Sequence, residues 1–184
     1  MGDTVNQRTR LTRRLFHESL LSLLKEKSVD KITVKELCER AELNRTTFYL
    51  HYGQPADVLG EIEDELVAEA QTYLKELKED TAITRLRALL AYIRDNRDMF
   101  RTVMCESGTD AFRYRFFESV FPEEVMSGLL LHEQKLKKYI EGYLTSGAFA
   151  VVYTWILDDC ALPADELADL MFGLSKNAVS YLNG

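Results

Sequence analysis

Residues 32–52 read Ile32-Thr33-Val34-Lys35-Glu36-Leu37-Cys38-Glu39-Arg40-Ala41-Glu42-Leu43-Asn44-Arg45-Thr46-Thr47-Phe48-Tyr49-Leu50-His51-Tyr52. Thr33 can cap a helix, and Glu36 three residues on can complete a capping box. Leu37 and Ala41 fall four apart and share a face. Leu43 ends the turn, and Asn44 is a good N-cap for a second helix. Phe48, four residues after Asn44, points back at Leu37 and Ala41. Two short helices, a three-residue turn and a shared apolar seam predict a helix-turn-helix.

The second helix is expected to present Arg45, Thr46, Thr47, Tyr49 and Tyr52 away from that seam. A helix fits the major groove with its first turn against base edges. Arg45 suits guanine, while Thr46 or Thr47 suits a thymine methyl or a phosphate. Tyr49 and His51 are placed to hold the backbone and set register. The expected contact set for double-stranded DNA is Thr33, Lys35, Asn44, Arg45, Thr46, Thr47, Tyr49, His51 and Tyr52. The same spacing also suits a surface helix of a bundle that binds nothing.

Written as a pattern, the stretch is Thr33-Val34-x-x-Leu37-x-x-x-Ala41-x-Leu43-x-x-x-Thr47-Phe48-Tyr49-x-His51-Tyr52. It resembles the TetR family of bacterial transcriptional regulators, most specifically in its Tyr-x-His-aromatic ending. The resemblance covers about residues 8–62. The remainder is similar to the family in helix count, and Trp155 followed by 163–170 is similar to several members' dimerisation ends. What the resemblance implies is a homodimer on a palindromic operator, usually repressing, with release when a small molecule enters the C-terminal domain. Three positions depart from the family pattern. Glu42 stands at the usual turn glycine, Leu50 at a usually polar position, and Pro55 where a lysine often meets phosphate.

Composition supports a small reading head on an acidic body. The chain has 184 residues and a net charge of −7, is 46% hydrophobic and 29% charged, and can therefore bury a core. Residues 1–52 carry 10 basic and 7 acidic side chains, a balance of +3, while 53–184 carry 13 and 23, a balance of −10. Such asymmetry suits an anionic partner gripped by one module. Cys38, Cys105 and Cys160 are odd in number and widely spaced, unlike a secreted disulfide framework. The near-apolar run 147–157 is too short to cross a bilayer, and the start is basic and polar. The expected location is cytoplasmic, with no membrane partner and no cofactor.

Few glycines and prolines and little period-2 alternation predict an all-α chain. Nine helices are expected, at 9–27, 33–40, 44–51, 55–78, 82–95, 99–106, 110–121, 128–157 and 163–182, with a bend near Gly142 or Gly147. Pro55, Pro122 and Pro163 each precede acid in a first turn and mark helix starts. The expected domains are 1–52 for DNA binding and 53–184 for regulation and dimerisation, with helix 55–78 as connector.

The last two helices, 128–157 and 163–182, are rich in apolar and small residues and are expected to pair across a two-fold axis. Gly142, Gly147, Ala148 and Ala150 allow close approach there, unless that face is internal core. Tyr92, Phe100, Met104, Phe112, Phe116, Tyr143 and Trp155 are candidates to line a pocket for an apolar or aromatic small molecule. Tyr114 belongs to the same aromatic-rich stretch, which also reads as plain core. His132-Glu133-Gln134-Lys135-Leu136 begins like a zinc-protease motif but has leucine at the second histidine position. His17, His51 and His132 are far apart, so no metal set is readable. Asp158-Asp159-Cys160 reads as a solvated helix end, a cation site or a reactive thiol. No catalytic set emerges, so an enzyme is not expected. The function expected is that of a dimeric, ligand-released repressor, the alternatives being an activator or a helical adaptor that no longer binds DNA.

Overall fold

A computed structural model describes residues 2–77, 81–106, 111–120 and 134–180. The expected helix start at Pro122, the first turns of the expected helix 128–157, the His132-Glu133 pair and the Tyr114 side chain lie outside the described residues. Among the described residues there are nine α-helices and no strand: α1 (Gly2–Leu24), α2 (Val34–Arg40), α3 (Arg45–Tyr49), α4 (Pro55–Lys75), α5 (Ala82–Asp95), α6 (Arg97–Arg101), α7 (Ala111–Val120), α8 (Gln134–Leu157) and α9 (Ala164–Ser180). A single 3-10 turn, Val29–Lys31, joins α1 to α2, and a π-type turn, Thr102–Glu106, follows α6. The chain groups into two units, Met1–Leu66 with Arg101–Thr109, and Val67–Phe100 with Asp110–Gly184. Helix α4 contributes its first half to one unit and its second half to the other.

Helix α1 starts seven residues before the expected Thr9. Nothing between Gly2 and Thr9 breaks a helix, and extending a nucleated helix is cheap. Thr12 is accommodated inside α1 by donating its hydroxyl to the Arg8 carbonyl at 3.0 Å. The face that α1 buries is Phe16, Leu20, Leu23 and Leu24, whereas Leu11 is exposed. Phe16 is the hub. Its ring meets Phe48 edge-on at 5.4 Å and Tyr52 at 5.9 Å, contacts worth about 0.5–1.5 kcal/mol each beyond the area buried. Leu37 and Cys38 of α2, Ala41 at its C-cap, and Val58, Leu59 and Ile62 of α4 complete this core. Arg40 reaches from α2 to Ser22 at 2.6 Å and Glu26 at 2.9 Å, fixing α2 against the end of α1.

In the second unit α5 packs against α9. Leu86, Leu89, Leu90 and Ile93 form its buried stripe at the i, i+3, i+4, i+7 spacing of a helix face. Arg87 and Asp169 pair across the rim at 2.6 Å. Helix α7 packs on α8, with Arg113 over the rings of Phe149 and Tyr153 at 4.9 and 5.0 Å. Helix α8 is one continuous α-helix through Gly142 and Gly147. Asp159 and Cys160 turn the chain into α9 with φ of 50° and 56°. Trp155 secures that turn by donating its indole N–H to the Leu162 carbonyl at 2.8 Å. Cys160 is buried, and burial pushes its thiol up, which removes the reactive-thiol reading of this segment.

The small-residue face of α8 is not internal core. Among the described residues, a methyl group built on Gly142 or Gly147 would meet nothing within 4 Å, and Tyr139 and Tyr143 on the same helix are exposed. On α9, Leu170 and Leu174 are 51% and 56% exposed, one turn apart. Tyr143, a pocket candidate from the sequence, stands exposed on α8.

Candidate nucleic-acid interface

The two caps read from sequence build the reading head. Thr33 accepts from the Glu36 backbone N–H at 3.2 Å while its own N–H donates to the Glu36 carboxylate at 2.9 Å, the reciprocal capping box. Asn44 accepts from the Thr47 N–H at 2.7 Å and from the Thr47 hydroxyl at 3.0 Å. Between them Glu42 takes φ of 54°, with the Leu43 N–H closing the turn on the Cys38 carbonyl at 3.0 Å. A left-handed residue with a side chain costs about 1–2 kcal/mol, part of which glycine's extra unfolded-state freedom would offset. Glu42→Gly is therefore expected to stabilise the protein by about 0.5–1 kcal/mol, read as a rise of roughly 2 °C in the melting temperature. An unchanged or lower melting temperature would count against strain at this turn.

Hydrogen bonds from Lys27 and from Thr33 hold the Glu36 carboxyl well below its ordinary value of 4.5, at about 2. A carboxylate whose pKa is depressed by folding stabilises the fold above its unfolded value. That contribution is present above pH 4.5 and is lost as pH falls toward 2. The difference in melting temperature between the parent and Glu36→Gln is expected to close across that interval. A difference that stays constant down to pH 2 would assign the cap's effect to something other than this charge.

With Phe48 fully buried, the outward face of α3 carries Arg45, Thr46 and Tyr49, all exposed. Leu50 follows at 76% exposure. Thr47 is half-buried, its hydroxyl engaged by Asn44. At the start of α2, Thr33 and Lys35 are exposed, Lys35 lying 3.8 Å from Glu39. His51 is half-buried beside Tyr52. Arg8, Arg10 and Arg14 add an exposed basic face on α1, where Arg14 pairs with Glu18 at 2.7 Å. At the mouth of α4, Asp57 accepts from the N–H groups of Gly53 and Gln54 at 2.8 and 3.1 Å, so Pro55 opens the helix under a carboxylate cap.

Tyr52 departs from expectation. Helix α3 ends at Tyr49, and the N–H groups of both His51 and Tyr52 turn back to the Phe48 carbonyl at 2.9 Å. That tight turn swings Tyr52 to the seam side, where it is 7% exposed among Phe16 and Phe48. Its hydroxyl donates to Glu61 of α4, and burial first, then Glu61, raises the phenol well above its ordinary value. Burial opposes ionisation of Glu61, yet hydrogen bonds from Tyr52 and His17 and the charge of Arg13 keep its carboxyl low. The network Arg13, His17, Tyr52 and Glu61 ties α1 and α4 to the head. Sequence spacing missed it because the partners are 9 to 48 residues apart.

The family model for the TetR-type transcriptional regulator C-terminal region matches residues 80–177, more than half of the chain and apart from the helix-turn-helix. The chain belongs to the TetR family of transcriptional regulators. An uncharacterised HTH-type regulator of Bacillus subtilis (strain 168), YxbF, is 23% identical over 173 residues, covering 89% of this chain and 44% of that protein. The chain thus spans less than half the length of that curated relative. Among solved structures, a TetR regulator from Streptococcus agalactiae 2603V aligns over 95% of this chain and 99% of its own, with 18% identity and a TM-score of 0.78. The dihydroxyacetone kinase operon activator DhaS aligns over 92% and 97%, with 16% identity and a TM-score of 0.60. At these identities the likeness is one of fold. Among the described residues no helix of the regulator is long and apolar enough to cross a membrane.

The aromatic candidates of the regulator's second unit are only partly brought together. Tyr92, Phe100, Phe116 and Phe112 form a ladder with successive ring separations of 5.8, 5.2 and 5.5 Å. The three phenylalanines are fully buried against one another. Trp155 is buried at the α8–α9 turn, Tyr143 is exposed, and Met104 is buried in the first unit. Beside the Tyr92 end of the ladder, Ala68, Glu69, Thr72, Tyr73, Glu76 and Tyr92 line a groove of about 420 Å³. Tyr92 donates to Glu69 at 3.0 Å there.

Proposed function

We propose that the regulator is a homodimeric repressor that holds a palindromic operator through one helix-turn-helix per subunit and releases it when a small molecule binds. In this reading 1–52 reads DNA, 53–184 senses and dimerises, and helix 55–78 connects them. The observation that carries it is the outward face of α3, where Arg45, Thr46 and Tyr49 stand exposed on a helix capped at Asn44 and anchored by Phe48. Arg45 is assigned to base edges, Thr46 to a base or a phosphate, and Tyr49 to the backbone. Lys35, His51, Thr33 and the α1 arginines are assigned to phosphates. Asn44 and Thr47 act by shaping the first turn, and Tyr52 positions the head from within.

A head with a balance of only +3 binds DNA weakly alone, whereas two heads on two half-sites gain the advantage of linkage. The exposed leucines of α9 and the open glycine face of α8 favour those helices as the pairing surface. An apolar or aromatic ligand is assigned to the groove at the Tyr92 end of the aromatic ladder.

Selection of bound fragments from sheared genomic DNA, with Tyr49→Ala as control, tests this reading. Enrichment of one palindromic site, lost in the control, is the expected outcome. A site overlapping a promoter supports repression, and one upstream of it supports the activating reading. No enriched site, with protein freed of small molecules, would overturn the reading in favour of an adaptor.

A further inference from the structure

Behind the reading head, α1 and the first half of α4 bring together three metal-ligating side chains within one unit. One ring nitrogen of His17 and one carboxylate oxygen each of Glu61 and Glu65 lie within 4.8 Å of one another. The His17 side chain is 12% exposed, with Nε2 3.3 Å from Glu61 and Nδ1 3.4 Å from Glu65. The His17–Glu61 hydrogen bond is longer than the about 2.7–2.9 Å of a tight charge-assisted pair, so the imidazole is only loosely held by its carboxylates. Glu61 and Glu65 are four apart on α4, which places both on one face of the helix. His17 supplies a nitrogen from the opposite helix.

A zinc-class ion takes imidazole nitrogen and carboxylate oxygen at about 2.0–2.2 Å and completes a tetrahedron with water. Glu65 is exposed, so its side chain can swing the remaining distance. Two carboxylates facing one imidazole leave an excess of negative charge that Arg13, paired with Glu61, only partly offsets. The nitrogen ligand favours zinc, cobalt or nickel over calcium or magnesium. The Tyr52 hydroxyl, bonded to Glu61, supplies an outer partner that orients this carboxylate.

We propose that His17, Glu61 and Glu65 form a binding site for a divalent zinc-class metal ion that clasps α1 to α4 within the DNA-reading unit. The site belongs to the first unit, apart from the groove assigned to a small organic ligand, and stands or falls independently of it. Occupancy stiffens the platform on which Tyr52 and α3 rest.

The test is titration of the chelator-stripped full chain with zinc chloride by calorimetry and thermal melting, repeated with cobalt chloride to read the ligand set by absorption. The expected result is one ion per chain, a raised melting temperature, and a cobalt spectrum without thiolate charge transfer. Glu65→Gln, at an exposed position, is expected to fold normally and to weaken binding by about tenfold or more. His17→Gln is expected to do the same. Absence of binding, undiminished binding in the folded Glu65→Gln variant, or a thiolate-type cobalt spectrum pointing to the cysteines would each overturn the proposal.

Discussion

Replacing Leu170 and Leu174 together by glutamate is expected to convert the proposed dimer to a monomer and to weaken binding of the proposed operator by about a hundred- to ten-thousandfold. The two side chains are half-exposed in the protomer, one turn apart on α9, so the protomer itself loses little when they change. In the proposed dimer each substitution places an unpaired carboxylate in an apolar contact, twice over because the two-fold axis repeats it. Once the subunits separate, the second head no longer binds as an intramolecular event, and the gain from linkage, typically ~10²–10⁴, is lost. Sedimentation velocity reads the mass, and titration of full and half operators reads the affinity. The double variant should bind both operators alike. A variant that remains dimeric with unchanged operator affinity would remove α9 from the pairing surface.

Arg45→Ala is expected to weaken binding of the selected site by about 1–3 kcal/mol, on the order of ten- to a hundredfold, and to flatten preference at one base pair per half-site. The side chain stands in the first turn of α3, where a helix entering the major groove meets base edges, and it is exposed. Tyr49→Phe removes only a hydroxyl and is expected to weaken all sequences nearly equally. Binding measured on a panel of single-base operator variants separates the two effects. Uniform weakening by Arg45→Ala, with a salt slope shallower by about 1, would reassign Arg45 to a phosphate.

The helix-turn-helix was legible because its determinants are local. Thr33 with Glu36 and Asn44 with Thr47 bond within three residues, and Leu37, Ala41 and Phe48 form a seam by helical period alone. Boundaries were less legible where no breaker stands. Nothing in 2–8 signals that α1 continues through it, and nothing local announces that α3 stops at Tyr49 rather than His51. That second boundary decided the fate of Tyr52. A side chain three residues past a helix end goes wherever the turn sends it, and here the turn sends it against Phe16.

Aromatic density in the second half marked Phe100, Phe112 and Phe116 without distinguishing core from pocket, because both require the same residue types. Packing decided that these rings stack on one another, that Trp155 secures a turn, and that Tyr143 lies on an open face. Helical class, the paired short helices and the caps that start them followed from the sequence alone, since each rests on contacts spanning a few residues. Tertiary structure alone brought His17 to Glu61 across 44 residues and left Leu170 and Leu174 uncovered. Proximity between distant segments and the exposure of an apolar face depend on how helices pack, which no local pattern encodes.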